Sequence, residues 1–210
     1  MNGLPFIPTT AEQYEGGIKY QPTFLPILLT ASVFDIRQQN VLSPSAVAGF
    51  NVQQGEVRST GTEFEARGNV TDSLELIGAL TFLDTRVTKS TDALIIGNRP
   101  QAVPEFFGSA WANYTFKAGP ASGLTLGGGI RYVGSSFGDD ANTLRTPAYA
   151  VADAALKYEL ENLMRGLKGM SLTLNVHNLF DKEYYSSCSS GYYCQFGNRR
   201  TVLAGMRYRW

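Results

Sequence analysis

The chain has no apolar run of about 18 residues, the least that carries a helix across a bilayer. Histidine is almost absent, with His177 alone, and there are only two cysteines, Cys188 and Cys194. No sign of charge dominates. The 18 basic residues balance the 18 acidic ones, which leaves no electrostatic case for nucleic acid or an anionic surface as partner. Neither cysteine has a histidine or a further cysteine nearby, so no zinc site and no other metal cluster is expected. No Gly-x-Ser-x-Gly elbow accompanies His177, which reads as a hydrogen-bonded wall residue rather than a catalyst. The segment Met1–Pro8 has no basic stretch followed by an apolar one and does not read as a signal peptide. Together these absences exclude a spanning helix and argue against an enzyme. They leave a β-barrel open, because its strands carry a weak hydropathy signal.

What the chain does have is 11 Tyr, 12 Phe and 22 Gly, a mix that suits many short strands and tight turns. Nine stretches read as strands: Gln13–Gln21, Leu28–Val41, Val52–Val70, Leu74–Lys89, Val103–Phe116, Leu124–Phe137, Ala148–Leu160, Met170–Tyr185 and Arg199–Trp210. Each reaches the roughly 9–11 residues that a tilted spanning strand needs.

Period-two alternation sorts their side chains into two faces. Tyr14, Ile18 and Tyr20 oppose Gln13, Glu15, Lys19 and Gln21; Thr62, Phe64 and Ala66 oppose Glu63, Glu65 and Arg67. Ala150 through Leu160, taken every second residue, oppose Asp153, Lys157 and Glu159, and Met170, Leu172, Leu174 and Val176 oppose Ser171, Thr173, Asn175 and His177. The terminal strand sets Val202, Ala204, Met206, Tyr208 and Trp210 against Thr201, Gly205, Arg207 and Arg209, with Leu203 an exception. Val33 and Ile77 fall on the expected polar side. Apolar faces with aromatic tips suit a wall between lipid and water. The polar face reads as a lumenal charge ladder of Glu63, Glu65, Arg67, Asp153, Lys157, Arg207 and Arg209, paired across strands. Gly127, Gly128 and Gly129, in mid-strand, allow close strand approach or a bend.

The expected links alternate in length. Pro22–Ile27, Thr71–Ser73, Lys117–Gly123 and Glu161–Gly169 are short or medium; Pro44–Asn51, Ser90–Ala102, Gly138–Pro147 and Ser186–Asn198 are longer. Outer-membrane barrels pair short periplasmic turns with longer extracellular loops. The fold class is therefore all-β, an antiparallel transmembrane β-barrel segment. With Trp210 at the periplasmic end, nine strands place the N-terminus outside. Complete bacterial barrels have an even strand number, so the chain is expected to be the C-terminal part of a longer barrel. The polar, turn-rich stretch from Cys188 to Cys194 favours a local disulfide and an oxidising compartment over two free thiols.

Particular segments also resemble a known family. Asn178–Tyr184 (NLFDKEY) resembles the penultimate-strand signature of TonB-dependent outer-membrane receptors. Glu12–Tyr20 (EQYEGGIKY), Gly55–Glu65 (GEVRSTGTEFE), Trp111–Phe116 (WANYTF), Ser122–Ser136 (SGLTLGGGIRYVGSS) and the Cys188–Cys194 loop are similar to its hydroxamate-siderophore, ferrichrome-type branch.

The resemblance implies a barrel of about 22 strands, with a plug domain and TonB box that residues 1–210 do not contain. It implies a disulfide between Cys188 and Cys194, a ferric hydroxamate ligand, coupling to TonB only through the missing plug, and no cofactor, since iron arrives wrapped in its siderophore. Barrel-assembly machinery would read Trp210, and the lipid bilayer is the remaining partner. In that branch an aromatic ligand contact follows the first cysteine. Here that position is Ser189, and Tyr192, Tyr193 and Phe196 are the aromatics that could serve instead, unless they only pack the loop or line the interface. Two other readings compete: a self-associating pore or non-functional truncated product, and a soluble β-sandwich binding module.

Overall fold

In the computed structural model, residues 6–44, 51–162, 165–189 and 193–209 are described. Thirteen strands are formed among them: β1 Thr10–Tyr20, β2 Ile27–Pro44, β3 Asn51–Asn69, β4 Leu74–Lys89, β5 Phe106–Thr115, β6 Leu124–Val133, β7 Ser136–Phe137, β8 Arg145–Thr146, β9 Tyr149–Glu159, β10 Met170–His177, β11 Tyr185–Ser189, β12 Tyr193–Phe196 and β13 Thr201–Tyr208. Nine of them make one antiparallel sheet in the order β1-β2-β3-β4-β5-β6-β9-β10-β13. The pairs β7–β8 and β11–β12 are separate two-stranded ribbons built on loops.

Two of the nine expected strands stop early. Leu124–Phe137 ends at Val133 and resumes as β7, which pairs with β8 rather than continuing the sheet. Met170–Tyr185 ends at His177, where Asn178 (φ 52°) and Asp181 (φ 54°) adopt left-handed backbone and turn the chain out of the sheet. The C-terminal strand is described as far as Tyr208, and Trp210 lies outside the described residues.

Directly opposed residues in an antiparallel pair share a face, so the register traces each face across the sheet. One row runs Tyr20, Leu29, Ala66, Gly78, Ala110, Ile130, Ala152. The next runs Ile18, Ala31, Phe64, Leu80, Gly108, Tyr132, Ala150. Further along, Leu156 opposes Leu174, which opposes Ala204. This face is apolar from edge to edge. The register moves Val33 to it, between Gly16 and Thr62, and turns Phe34 and Ile36 to the other side. Ile77 stays on the lumenal face, opposite Arg67 and Trp111.

The apolar face is not a core. Ile18 is 71% exposed, Met206 68% and Val202 57%, while the buried hydrophobic residues among those described are Val151, Leu160 and Cys188. A soluble sandwich would cover these side chains with a second sheet; here they face outward, as lipid-facing residues of a barrel wall do. The links fall at two ends. Residues 21–26, 70–73, 116–123 and 160–169 join strands at one; 90–105, 134–148 and 178–200 join them at the other, and the expected link Pro44–Asn51 lies, but for its two end residues, outside the described residues.

The face assignment predicts an asymmetry. In a closed barrel carrying this chain, Leu156→Arg or Leu174→Arg lowers the heat-modifiable folded fraction, because a charge near the midplane of the lipid face costs about 2–4 kcal/mol. Thr173→Arg and Lys157→Ala, on the opposite face, leave it unchanged. Equal losses on both faces would contradict the assignment.

Candidate functional site

On the lumenal face, side chains meet across strands. Trp111 donates its indole N–H to Asn113 Oδ1 at 2.7 Å, Asn113 Nδ2 donates to Glu75 Oε2 at 2.9 Å, and Arg67 lies 3.7 Å from Glu75. The indole lies over Gly127 and Gly129 of the neighbouring strand, where any Cβ would run into the ring. The glycine run thus seats an aromatic on the lumenal wall. The expected charge ladder forms only in part. Arg67 finds Glu75 and Asp153 finds Arg131 across strands, whereas Lys157 pairs with Glu159 along its own strand, at 2.6 Å. Glu63, Glu65, Arg207 and Arg209 have no ion pair among the described residues. The register gives the reason for three of them: Glu63 faces Ser32 and Thr81, Glu65 faces Thr30 and Ala79, and Arg207 faces Ser171.

Asp153 is the hinge between wall and loops. Arg131 grips it from Nε at 2.7 Å and Nη2 at 3.2 Å, and the Asn178 backbone N–H donates to it at 2.8 Å. His177 Nδ1 stands 3.9 Å from the same carboxylate, too far for a hydrogen bond.

The Asn178–Tyr184 stretch then turns the chain. Asn178, only 2% exposed, donates from Nδ2 to the carbonyls of Lys182 (2.8 Å) and Asn198 (3.0 Å), and its Oδ1 accepts the Lys182 N–H at 2.8 Å. Asp181 accepts Arg199 Nε at 2.9 Å and Nη2 at 2.7 Å, together with the Arg200 N–H at 2.9 Å. Arg199 also pairs with Glu183. Both ends of the last long loop are therefore tied to one turn. Asparagine and aspartate suit it, because their short side chains tolerate left-handed backbone and bond locally. Sequence reasoning had the motif as a family mark but not this role; Arg131 and Arg199 were missed outright, since nothing in local sequence pairs them with Asp153 and Asp181.

The loop itself is a ribbon. Cys188 opposes Cys194, and the two form the expected disulfide. Cys188 is 4% exposed and lies against Gly138 of the neighbouring loop, while Cys194 across from it is exposed. Tyr193 opposes Ser189 on the other face and is 74% exposed. Phe196 stacks on Tyr185 with ring centroids 4.9 Å apart, yet remains 69% exposed. It lines a cavity of about 270 Å³ with Tyr149, Tyr184 and Pro147, where Tyr149 and Tyr184 stack at 4.3 Å. Tyr192 lies outside the described residues. Among the described residues no group of three or more His, Cys, Asp and Glu side chains gathers to hold a metal ion.

Residues 2–179 match the family described as TonB dependent receptor-like, beta-barrel. The chain belongs to the TonB-dependent receptor family. It is 41% identical over 209 residues to the ferrichrome outer membrane transporter/phage receptor of Escherichia coli K12, covering 99% of this chain and 27% of that protein. It is 39% identical over 201 residues to the ferrioxamine receptor of Yersinia enterocolitica, covering 96% and 28%. The crystal structure of the siderophore receptor PiuA from Acinetobacter baumannii superimposes with a TM-score of 0.77 at 28% identity, over 94% of this chain and 28% of that one. The chain spans little more than a quarter of the length of these relatives. They are receptors and transporters rather than enzymes, and the outer membrane is where such a barrel resides.

The turn makes a prediction with a definite sign. Arg199, with the Arg200 N–H, holds the Asp181 carboxyl well below the usual carboxylate range. A carboxyl lowered on folding adds stability that is complete above its unfolded pKa and fades as pH falls through the folded one. The 178–200 loop is therefore expected to resist pepsin at about pH 4 and to become cleavable on further acidification. Asp181→Asn is cleaved readily already at the higher pH and shows no such dependence; identical profiles for the two proteins would refute the assignment. Asn178→Ala, which leaves buried backbone groups unpaired at about 1–3 kcal/mol each, lowers the denaturation midpoint of the barrel.

Proposed function

We propose that residues 1–210 form nine wall strands and the extracellular loops of a receptor barrel that takes up ferric hydroxamate siderophores, energised by TonB through a plug domain not contained in these residues. The observation that carries the reading is the pairing of Ser189 with Tyr193 across the ribbon. An aromatic missing at Ser189 is replaced, on the same face and one strand away, by the exposed Tyr193. Two relatives of high identity bear the names of ferrichrome and ferrioxamine, both iron hydroxamates. Tyr193, Tyr192 and Phe196 are the proposed ligand contacts, and the charge-poor ribbon suits a neutral, iron-wrapped hydroxamate. No cofactor is called for, since the metal is cargo. Trp210 is the proposed recognition point for the assembly machinery.

The two edge strands support a partnership with further strands. β1 and β13 each pair on one side only among the described residues, and hydrocarbon does not tolerate open sheet edges. Completion by other strands of one receptor chain is the reading adopted; completion by a second copy is the competing one. Residues 1–210 fused to an export signal are expected to give neither heat-modifiable oligomers nor growth of a receptor-deleted strain on ferric hydroxamates. Stable conducting oligomers would install the competing reading.

In the intact receptor, Tyr193→Ala is expected to weaken ferric ferrichrome or ferrioxamine binding by about 2–12-fold, the worth of about 0.5–1.5 kcal/mol for one aromatic contact. Binding of a ferric catecholate stays negligible in both proteins. Unchanged hydroxamate affinity in both Tyr193→Ala and Phe196→Ala would remove the proposed contacts.

A further inference from the structure

The lumenal row nearest the long loops turns apolar over β5, β6 and β9. Phe107 opposes Val133, and Val133 opposes Tyr149. Neighbouring strands lie about 4.8 Å apart, so the two aromatics stand about 10 Å from one another with only the valine between them. In the next row down the wall stand Ser109 and Arg131, and Arg131 is already committed to Asp153 at 2.7 and 3.2 Å. An apolar row on the outward face meets lipid. On the lumenal face there is no hydrocarbon to meet, yet Phe107 keeps 38% of its surface exposed.

The row continues into the last long loop. Tyr149 stacks on Tyr184 with ring centroids 4.3 Å apart. The Tyr184 ring lies over Gly197, where any Cβ would run into it, and the Gly197 N–H donates to the Tyr184 carbonyl at 2.8 Å. The segment that carries Tyr184 is fixed at its root: Asn178 holds both backbone groups of Lys182, and Arg199 holds Glu183. The cavity of about 270 Å³ that Tyr149 and Tyr184 line reaches Phe196, so it joins the wall to the ribbon. Two charged residues line it, Lys182 and Glu183; both are exposed and they are opposite in sign. Neither tyrosine hydroxyl has a hydrogen-bond partner among the described residues.

We propose that Phe107, Tyr149 and Tyr184 form the wall half of the ligand site, against which the uncharged organic shell of a ferric hydroxamate rests while the ribbon contacts it from the loop side. The inference rests on the hydroxamate reading of the receptor and adds to it a surface outside the disulfide loop. Three hydroxamates cancel the charge of one ferric ion, so such a ligand presents methylene groups and oxygen acceptors rather than net charge. Aromatic faces suit the first, and the two unpartnered hydroxyls donate to the second. No charged side chain interrupts the row from Phe107 to Tyr149. Toward β3 the same row changes character, because Thr81 there opposes Glu63, which has no ion pair among the described residues. The site therefore lies on the β5–β9 side of the wall.

The test is equilibrium binding of ferric ferrichrome and of ferric enterobactin, a catecholate, to the intact receptor. Phe107→Ala is expected to weaken ferrichrome binding about 2–12-fold. Tyr149→Phe and Tyr184→Phe keep the rings and remove one donor each, and a loss of about 2–12-fold is expected again. They carry the test should Phe107→Ala fail to assemble. Ser109→Ala, one row down the same face, leaves the affinity unchanged. Wild-type ferrichrome affinity in Phe107→Ala and in both tyrosine variants overturns the inference. The same unchanged affinity, accompanied by entry of vancomycin into cells carrying the variants, assigns the row to a protein segment inside the lumen and overturns it too. A wild-type receptor that binds enterobactin in place of ferrichrome, with the same losses in the variants, overturns the proposed function and leaves the wall half standing; without those losses both fall.

Discussion

In hydrocarbon a backbone N–H or C=O has no water to turn to, and each unpaired group costs several kcal/mol. The nine-stranded antiparallel ladder answers that constraint for this chain, and the rest of the structure follows from it. Continuous pairing from β1 to β13 fixes the register, and the register decides which side chain meets lipid and which meets the lumen. The apolar residues have no conventional core to fill. Their stabilisation comes from lipid outside and from cross-strand neighbours, which is why bulky side chains such as Ile18 and Met206 stay exposed without becoming a defect.

Freed from burying a core, the polar side chains organise the two places where the ladder stops. At the long-loop end, Asp153 collects Arg131 and the Asn178 N–H, while Asp181 collects Arg199 and the Arg200 N–H. These carboxylates sit where the chain leaves the wall and where it returns to it. They allow a ribbon of mixed aromatic and polar residues to stand clear of the sheet without losing its place. The disulfide acts one level up, joining exposed Cys194 to Cys188, which packs against Gly138, while Tyr193 stays exposed.

Much of this was legible in the chain itself. Leu74–Lys89 was read to the residue, and the other strands of the sheet began or ended within a few residues of their expected bounds, because period-two alternation is a strong signal wherever one face meets lipid. The failures have physical causes. Val33 was misplaced because β2 is apolar on both faces, with Leu29 and Ala31 on one and Leu28, Phe34 and Ile36 on the other, so alternation could not choose between them. The early end at His177 escaped notice because Leu179, Phe180, Tyr184 and Tyr185 continue past it while left-handed backbone at Asn178 and Asp181 turns the chain; past Val133 the chain leaves the sheet and Phe137 pairs with β8 instead. Tyr193 and Phe196 lie on the expected loop between β10 and β13, but sequence order said nothing of which face each would occupy.

The sequence alone determined the class of the molecule, its division into lipid-facing and lumenal residues, the family and the cysteine pair. Each of these depends on local order: a period of two, a motif, or a short spacing. Tertiary structure alone decided which charges pair, where Tyr193 stands relative to Ser189, and that Tyr149 and Tyr184 line one cavity with Phe196. Those relations join residues many positions apart, and strand register and loop docking set them. No local pattern encodes the partner of an arginine that lies on another strand.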